Sequence, residues 1–213
     1  MQKDSRFSKG LRATGIGGCI CTRHEVVRPL GLVDLLKGER YVFQSETECP
    51  LILLPSYSSM DYVFWAATYT EDLLKIMASY DVGCQWKIHL LERKKGMPTI
   101  FVPSKDDGPE IEVSLPVWHG GVHNDECAMC KSLRYKSGAG MVDGEGVERV
   151  WSTTNPRAYA TREMHMNNRH ASLEDHFDNQ NYLKNLGLGE FYSFIGLQVS
   201  LIQLVKVIFF RSV

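Results

Sequence analysis

The 213-residue sequence predicts an α/β fold, and three observations carry that reading. Short apolar runs of strand length alternate with helical patterns, Gly and Pro punctuate the joins, and no repeat interrupts the series. The composition, 44% hydrophobic and 23% charged, is that of a globular chain and excludes collagen, coiled coil and disorder. The length argues for one domain with a real core. With 24 basic and 25 acidic residues the net charge is −1, so any contact with nucleic acid must come from local basic patches. Six cysteines are too sparse for a disulfide scaffold and the N-terminal MQKDSRFSKG lacks a signal-peptide core, which points to cytosol or nucleus. The apolar stretch Ile195 to Phe210 is broken by Gln198, Ser200, Gln203 and Lys206, unlike a membrane span.

Taken in order, Leu32 to Leu36 reads as a short helix closed by Gly38, and Asp61 to Tyr69 as a buried helix. Leu74 to Tyr80 is a strand-length apolar run followed at once by Asp81. Val82, Trp86 and Leu90 share one face of an amphipathic helix over Val82 to Arg93. Gly96 to Pro109 is a connector, Ile111 to Trp118 a strand, and Asn124 to Tyr135 a helix carrying Lys131 and Arg134, with Lys136 just beyond. Glycines 138, 140, 144 and 146 free the backbone before a short helical segment holding Glu148 and Trp151. Ser172 with Asp175 makes a capping box opening a last helix that Gly187 ends.

Two constellations could carry chemistry. Asp81 at a strand end, with Asp143, Glu145 and Glu148 around the glycine-rich turn, supplies hard oxygen ligands of the kind that hold two magnesium or manganese ions for phosphoryl transfer. Helix capping and ion pairing explain the same residues without a metal. In WHGGVHNDECAMC, His119 and His123 run into Cys127 and Cys130, a spacing that could complete a zinc shell, against which stand buried cysteines with hydrogen-bonded histidines. Cys19, Cys21 and His24 lack an evident fourth ligand and read as strand packing. KSLRYK could meet phosphate and bases, or be a solvated face.

Read together, TRHEVVRPLGLVDLLKGERY, MDYVFWA, SYDVGCQWK, VWHGGVHNDEC, KSLRY, GMVDGEGVERVWS and NYLKNLGLG resemble, in order, the Kyakuja-Dileera-Zisupton transposases of fungal genomes, over residues 6–190. The resemblance implies a nuclear, RNase H-like core with a helical insertion. In such a core an Asp-Asp-Glu triad with magnesium or manganese cuts transposon ends and joins them to target DNA, and copies of the chain can assemble on it. Asp81 then corresponds to the aspartate ending an inner strand, and Glu145 or Glu148 to the glutamate on the closing helix. His119, His123 and Cys127 match the family's histidine and cysteine cluster, whereas Cys130 matches no family position.

Three departures qualify what the resemblance implies. The family's first aspartate lies on a strand upstream of TRHE, where this sequence has only a short polar segment with Asp4, a poor metal ligand. The triad is then incomplete, the expected core is incomplete with an exposed sheet edge, and the chain is expected not to cut DNA by itself. Residues 43–59, FQSETECPLILLPSYSS, break the family register like a translated intron, and the apolar tail 191–213 reads as noncoding read-through. The rival reading is a retained DNA- or protein-binding module using Lys131, Arg134, Lys136, Arg149, Arg157 and Arg169. A zinc-stabilised structural protein is a third.

Overall fold

The computed structural model describes residues 11, 13, 15–35, 57–69, 75–101, 109–195 and 203–210. Five strands, β1 (Gly15–Cys21), β2 (Val27–Leu35), β3 (Lys75–Ser79), β4 (Glu110–Ser114) and β5 (Gln203–Phe210), form one sheet in the order β2-β1-β5-β3-β4. β1 runs antiparallel to β2 and β5, while β3 runs parallel to β4 and β5. The last strand in sequence is thus the middle strand in space. β1 and β3 are therefore not edges, contrary to the exposed edge expected from the sequence, because the tail strand pairs with both. Most of the insertion-like stretch 43–59, namely 43–56, lies outside the described residues.

β1 is buried from Gly15 to Ile20, so both faces of the sheet are covered there. Gly18 lets the helix α5 (Gly146–Thr161) press close, since a Cβ on it would lie 3.1 Å from the Trp151 ring. Residues 32–35 are strand and not the expected helix. Leu32 pairs with Gly18 and Leu35 with Gly15, and this cross-strand pairing with burial of Leu35 overrides the local pattern.

The helix α1 (Ser58–Thr68) is buried nearly all round, as its sequence predicts, and even Asp61 is buried. Trp86 Nε1 donates to Asp61 at 2.8 Å, and Arg93 pairs with the same carboxylate at 2.6 and 3.1 Å. Burial pushes the Asp61 carboxyl up, with Arg93 and Trp86 working the other way. Arg93 also donates to the Trp86 and Ile88 carbonyls. Those carbonyls are drawn to the guanidinium at the point where the expected Val82 to Arg93 helix breaks into α2 (Gly83–Trp86) and α3 (Leu90–Lys94). His89 stands between them in the left-handed conformation.

Two further elements differ in length from their expectation. The helix α4 (Asp125–Lys131), N-capped by Asn124, stops at Ser132, which turns extended while its neighbours Lys131 and Leu133 bond to Leu115 on both sides. A short 3₁₀ turn over Leu133–Tyr135 follows. The helix α6 (Met166–Ile195) runs unbroken through both Ser172 and Gly187. Tertiary ties hold it: Arg169 and His170 to Asp34, Asn181 to both backbone groups of Val27, and Lys184 to the Glu25 carbonyl. These ties outweigh the roughly 1 kcal/mol that an interior helix glycine costs. No helix of the described residues is long and apolar enough to cross a membrane.

Asp61→Ala strands Arg93 in the core and is expected to cost about 3–5 kcal/mol in urea unfolding, whereas the double change Asp61→Leu with Arg93→Met costs clearly less. Deleting residues 203–213 removes the middle strand and is expected to abolish cooperative unfolding and expose dye-binding apolar surface. A truncated chain that unfolds cooperatively at the same denaturant concentration contradicts the sheet order.

Candidate functional site

Asp81 lies two residues past the end of β3, with Tyr80 N–H still donating to the Ser114 carbonyl and holding the register with β4. Two other segments converge on it. The loop after β4 is stitched to the turn before α5 by Val117 N–H donating to the Asp143 carbonyl at 2.8 Å, and a 3₁₀ turn over His119–Val122 then delivers His119. The first turn of α5 delivers Glu148. Ligand atoms of Asp81, His119 and Glu148 all lie within 4.8 Å of one another.

The two glutamates that the sequence leaves undivided take different places. Glu145 is the residue before α5, and its carboxylate accepts from Trp118 N–H at 3.1 Å and meets His119 Nδ1 at 3.2 Å. His119 Nε2 faces Asp81 Oδ2 at 3.5 Å. Glu145 therefore seats the imidazole, and Glu148 is the glutamate grouped with Asp81 and His119. The two are not stacked on one helical face because the helix begins between them. Asp143 accepts from Glu145 N–H at 2.8 Å and pairs with Arg149, so it braces the turn.

Gly144, between Asp143 and Glu145, sets this arrangement. Its φ of +78° is one that L side chains rarely adopt, and a Cβ there would come within 2.6 Å of Leu133 and 3.1 Å of the Ser79 hydroxyl at the end of β3. The turn can thus lie against the strand that leads to Asp81. Two carboxylates and an imidazole suit a divalent cation, the oxygens favouring magnesium or manganese. Asp81, His119 and Glu145 are each mostly buried yet open to solvent on one side, with 28%, 24% and 17% of their side chains exposed.

Of the four residues with zinc spacing, the structure groups only His123 and Cys127, and their third companion is Cys84. His119 belongs with the carboxylates instead, and Cys130 is exposed outside both groups. Cys84 escapes a reading by spacing because it lies 39 residues before His123; its only local signal is its place three residues after Asp81. Burial and the neighbouring Cys127 thiol push the Cys84 thiol up. Cys19 is fully buried and its thiol is pushed far up by desolvation, while Cys21 meets His24 at 3.4 Å, in keeping with strand packing.

The basic residues separate as well. Arg134 and Arg157 are exposed and Lys131 is half-buried. Lys136 pairs with Glu112 at 2.9 Å, and Arg149 is held by Glu25 and Asp143, which raise its pKa further. Arg169, counted among the basic residues for DNA, is 2% exposed and tied to Asp34, so it reaches no phosphate.

Against known proteins, the family model described as Kyakuja-Dileera-Zisupton transposase matches residues 1–181. No curated protein and no solved structure matches the chain.

Gly144→Ala forces a left-handed alanine against Leu133 and is expected to cost about 1–3 kcal/mol. Urea unfolding checks it, and a variant as stable as the parent shows that the turn does not need glycine.

Proposed function

The chain belongs to the Kyakuja-Dileera-Zisupton transposase family, and from that membership we propose that Asp81 and Glu148 are two metal-binding carboxylates of an Asp-Asp-Glu strand-transfer centre. The observation that carries this is the convergence of Asp81, His119 and Glu148 within 4.8 Å, from a strand end, a loop and a helix start. The sheet order supports an RNase H-like core, with a middle strand parallel to β3 on one side and antiparallel to β1 on the other. Magnesium or manganese held by Asp81 and Glu148 would activate the attacking hydroxyl and stabilise the leaving oxygen of a DNA phosphodiester. His119, seated by Glu145, orients toward Asp81 and fixes that side of the site.

Among the described residues the centre is one carboxylate short. The strand bonded to the inner side of β3 has the sequence QLVKVIFF, with a lysine in register with Ser79 and no acid. A site with two carboxylates binds a divalent cation more weakly and leaves phosphate charge less neutralised, so the chain binds metal and DNA without cutting. Transposon ends and target DNA are the partners of this reading, the nucleus its place of action, and paired copies its natural assembly. Arg134, Arg157 and Lys131 remain for phosphate contact, which also supports the binding-module reading of a chain without catalysis.

Manganese titration followed by electron paramagnetic resonance tests the site, alongside nicking of duplex DNA carrying transposon ends. Manganese binding that weakens about tenfold or more in Asp81→Asn and in Glu148→Gln, but not in Glu126→Gln, is the expected result, with no nicking by the parent chain. Robust nicking abolished by Asp81→Ala overturns the inactivity, and manganese binding indifferent to both changes overturns the site.

A further inference from the structure

Beside the carboxylates lies a second group of different chemistry, two of whose residues, His123 and Cys127, belong to the cluster matched to the family above and have no part in the strand-transfer centre. Cys84 in α2, His123 at the end of the 3₁₀ turn and Cys127 in α4 bring their ligand atoms within 4.8 Å of one another. His123 Nδ1 lies 3.7 Å from the Cys84 sulfur and 3.8 Å from the Cys127 sulfur. In a tetrahedral zinc site, with Zn–S about 2.3 Å and Zn–N about 2.0–2.1 Å, a sulfur and a nitrogen stand about 3.6 Å apart. Both nitrogen–sulfur pairs thus already have nearly the spacing of zinc ligands, the two sulfurs lie within 4.8 Å of each other, and all three residues are half-buried.

The other edge of the imidazole supplies an independent observation. His123 Nε2 lies 2.9 Å from the backbone carbonyl of Asp81. A carbonyl only accepts, so Nε2 carries the proton and Nδ1 turns its lone pair toward the two sulfurs. A histidine that donates one ring N–H to a backbone carbonyl while aiming the other nitrogen at thiols has the orientation found in metal-ligating histidines.

We propose that Cys84, His123 and Cys127 hold a zinc ion with a fourth position open to water, and that this ion ties the loop after β4 and α4 to the segment carrying Asp81. Binding releases the two thiol protons, and the two thiolates balance the charge of the ion. Through the His123 N–H the ion also holds the backbone at Asp81. The site differs from one read by spacing alone, because Cys84 replaces His119 and Cys130. It does not depend on the carboxylate reading, since none of its ligands is a carboxylate.

The test uses the full chain purified without chelator. Elemental analysis is expected to give one zinc per chain, and cobalt replacing it to give the visible bands of a tetrahedral ion with thiolate-to-cobalt charge transfer. Cys84→Ser is expected to lose the stoichiometric zinc and most of the charge transfer, whereas Cys130→Ser keeps both. Where Cys84→Ser fails to fold, the parent cobalt spectrum decides, and the absence of thiolate charge transfer overturns the proposal. A folded parent chain that takes up no zinc, equal loss in Cys130→Ser, or a Cys84–Cys127 disulfide found by mass spectrometry under reducing lysis also overturns it.

Discussion

The ion pair of Arg93 with Asp61 is the contact on which the positions around Asp81 depend. Asp61 sits in the first turn of a helix that is buried on almost every side, where a lone carboxylate is very costly. Arg93 answers it from α3, Trp86 adds a hydrogen bond from α2, and the remaining guanidinium donors take the Trp86 and Ile88 carbonyls. The chain from Asp81 to Arg93 is thereby folded back on α1. A pair of this kind adds little net stability over a well-packed apolar substitute; its effect is to fix one arrangement.

The sheet imposes the second constraint. The elements that meet at the candidate site come from the C-terminal end of β3, from the loop after the parallel strand β4 and from the start of α5. Ligand sites of open α/β sheets lie beyond the carboxyl ends of parallel strands, and the carboxylate group is placed in that way. β3 is flanked on its inner side by β5, so the scaffold under Asp81 is completed by the last strand of the chain.

Much of this was legible locally. The apolar run before Asp81, the helix over 61–69 and the glycine turn before Glu148 each declare themselves within about ten residues, and the structure places all three. What was not legible depends on distant partners. Residues 32–35 follow a helical spacing yet lie in a strand because Gly15 to Gly18 offer them a ladder. Gly187 reads as a helix end, yet the helix continues past it, tied earlier along its length to Asp34, Val27 and Glu25. The pairing of Cys84 with His123 and the choice between Glu145 and Glu148 both turn on a loop folding across the end of the sheet, which no spacing rule encodes.

Two donor groups then stand side by side, hard oxygens on Asp81 and Glu148 and soft sulfurs on Cys84 and Cys127, joined through His123 and the backbone of Asp81. Anomalous diffraction at the manganese edge, from crystals of the chain grown with manganese, tests the carboxylate site directly. A single strong peak within coordination distance of Asp81 and Glu148 is the expected result. No peak there, with the two carboxylates turned apart, would contradict it.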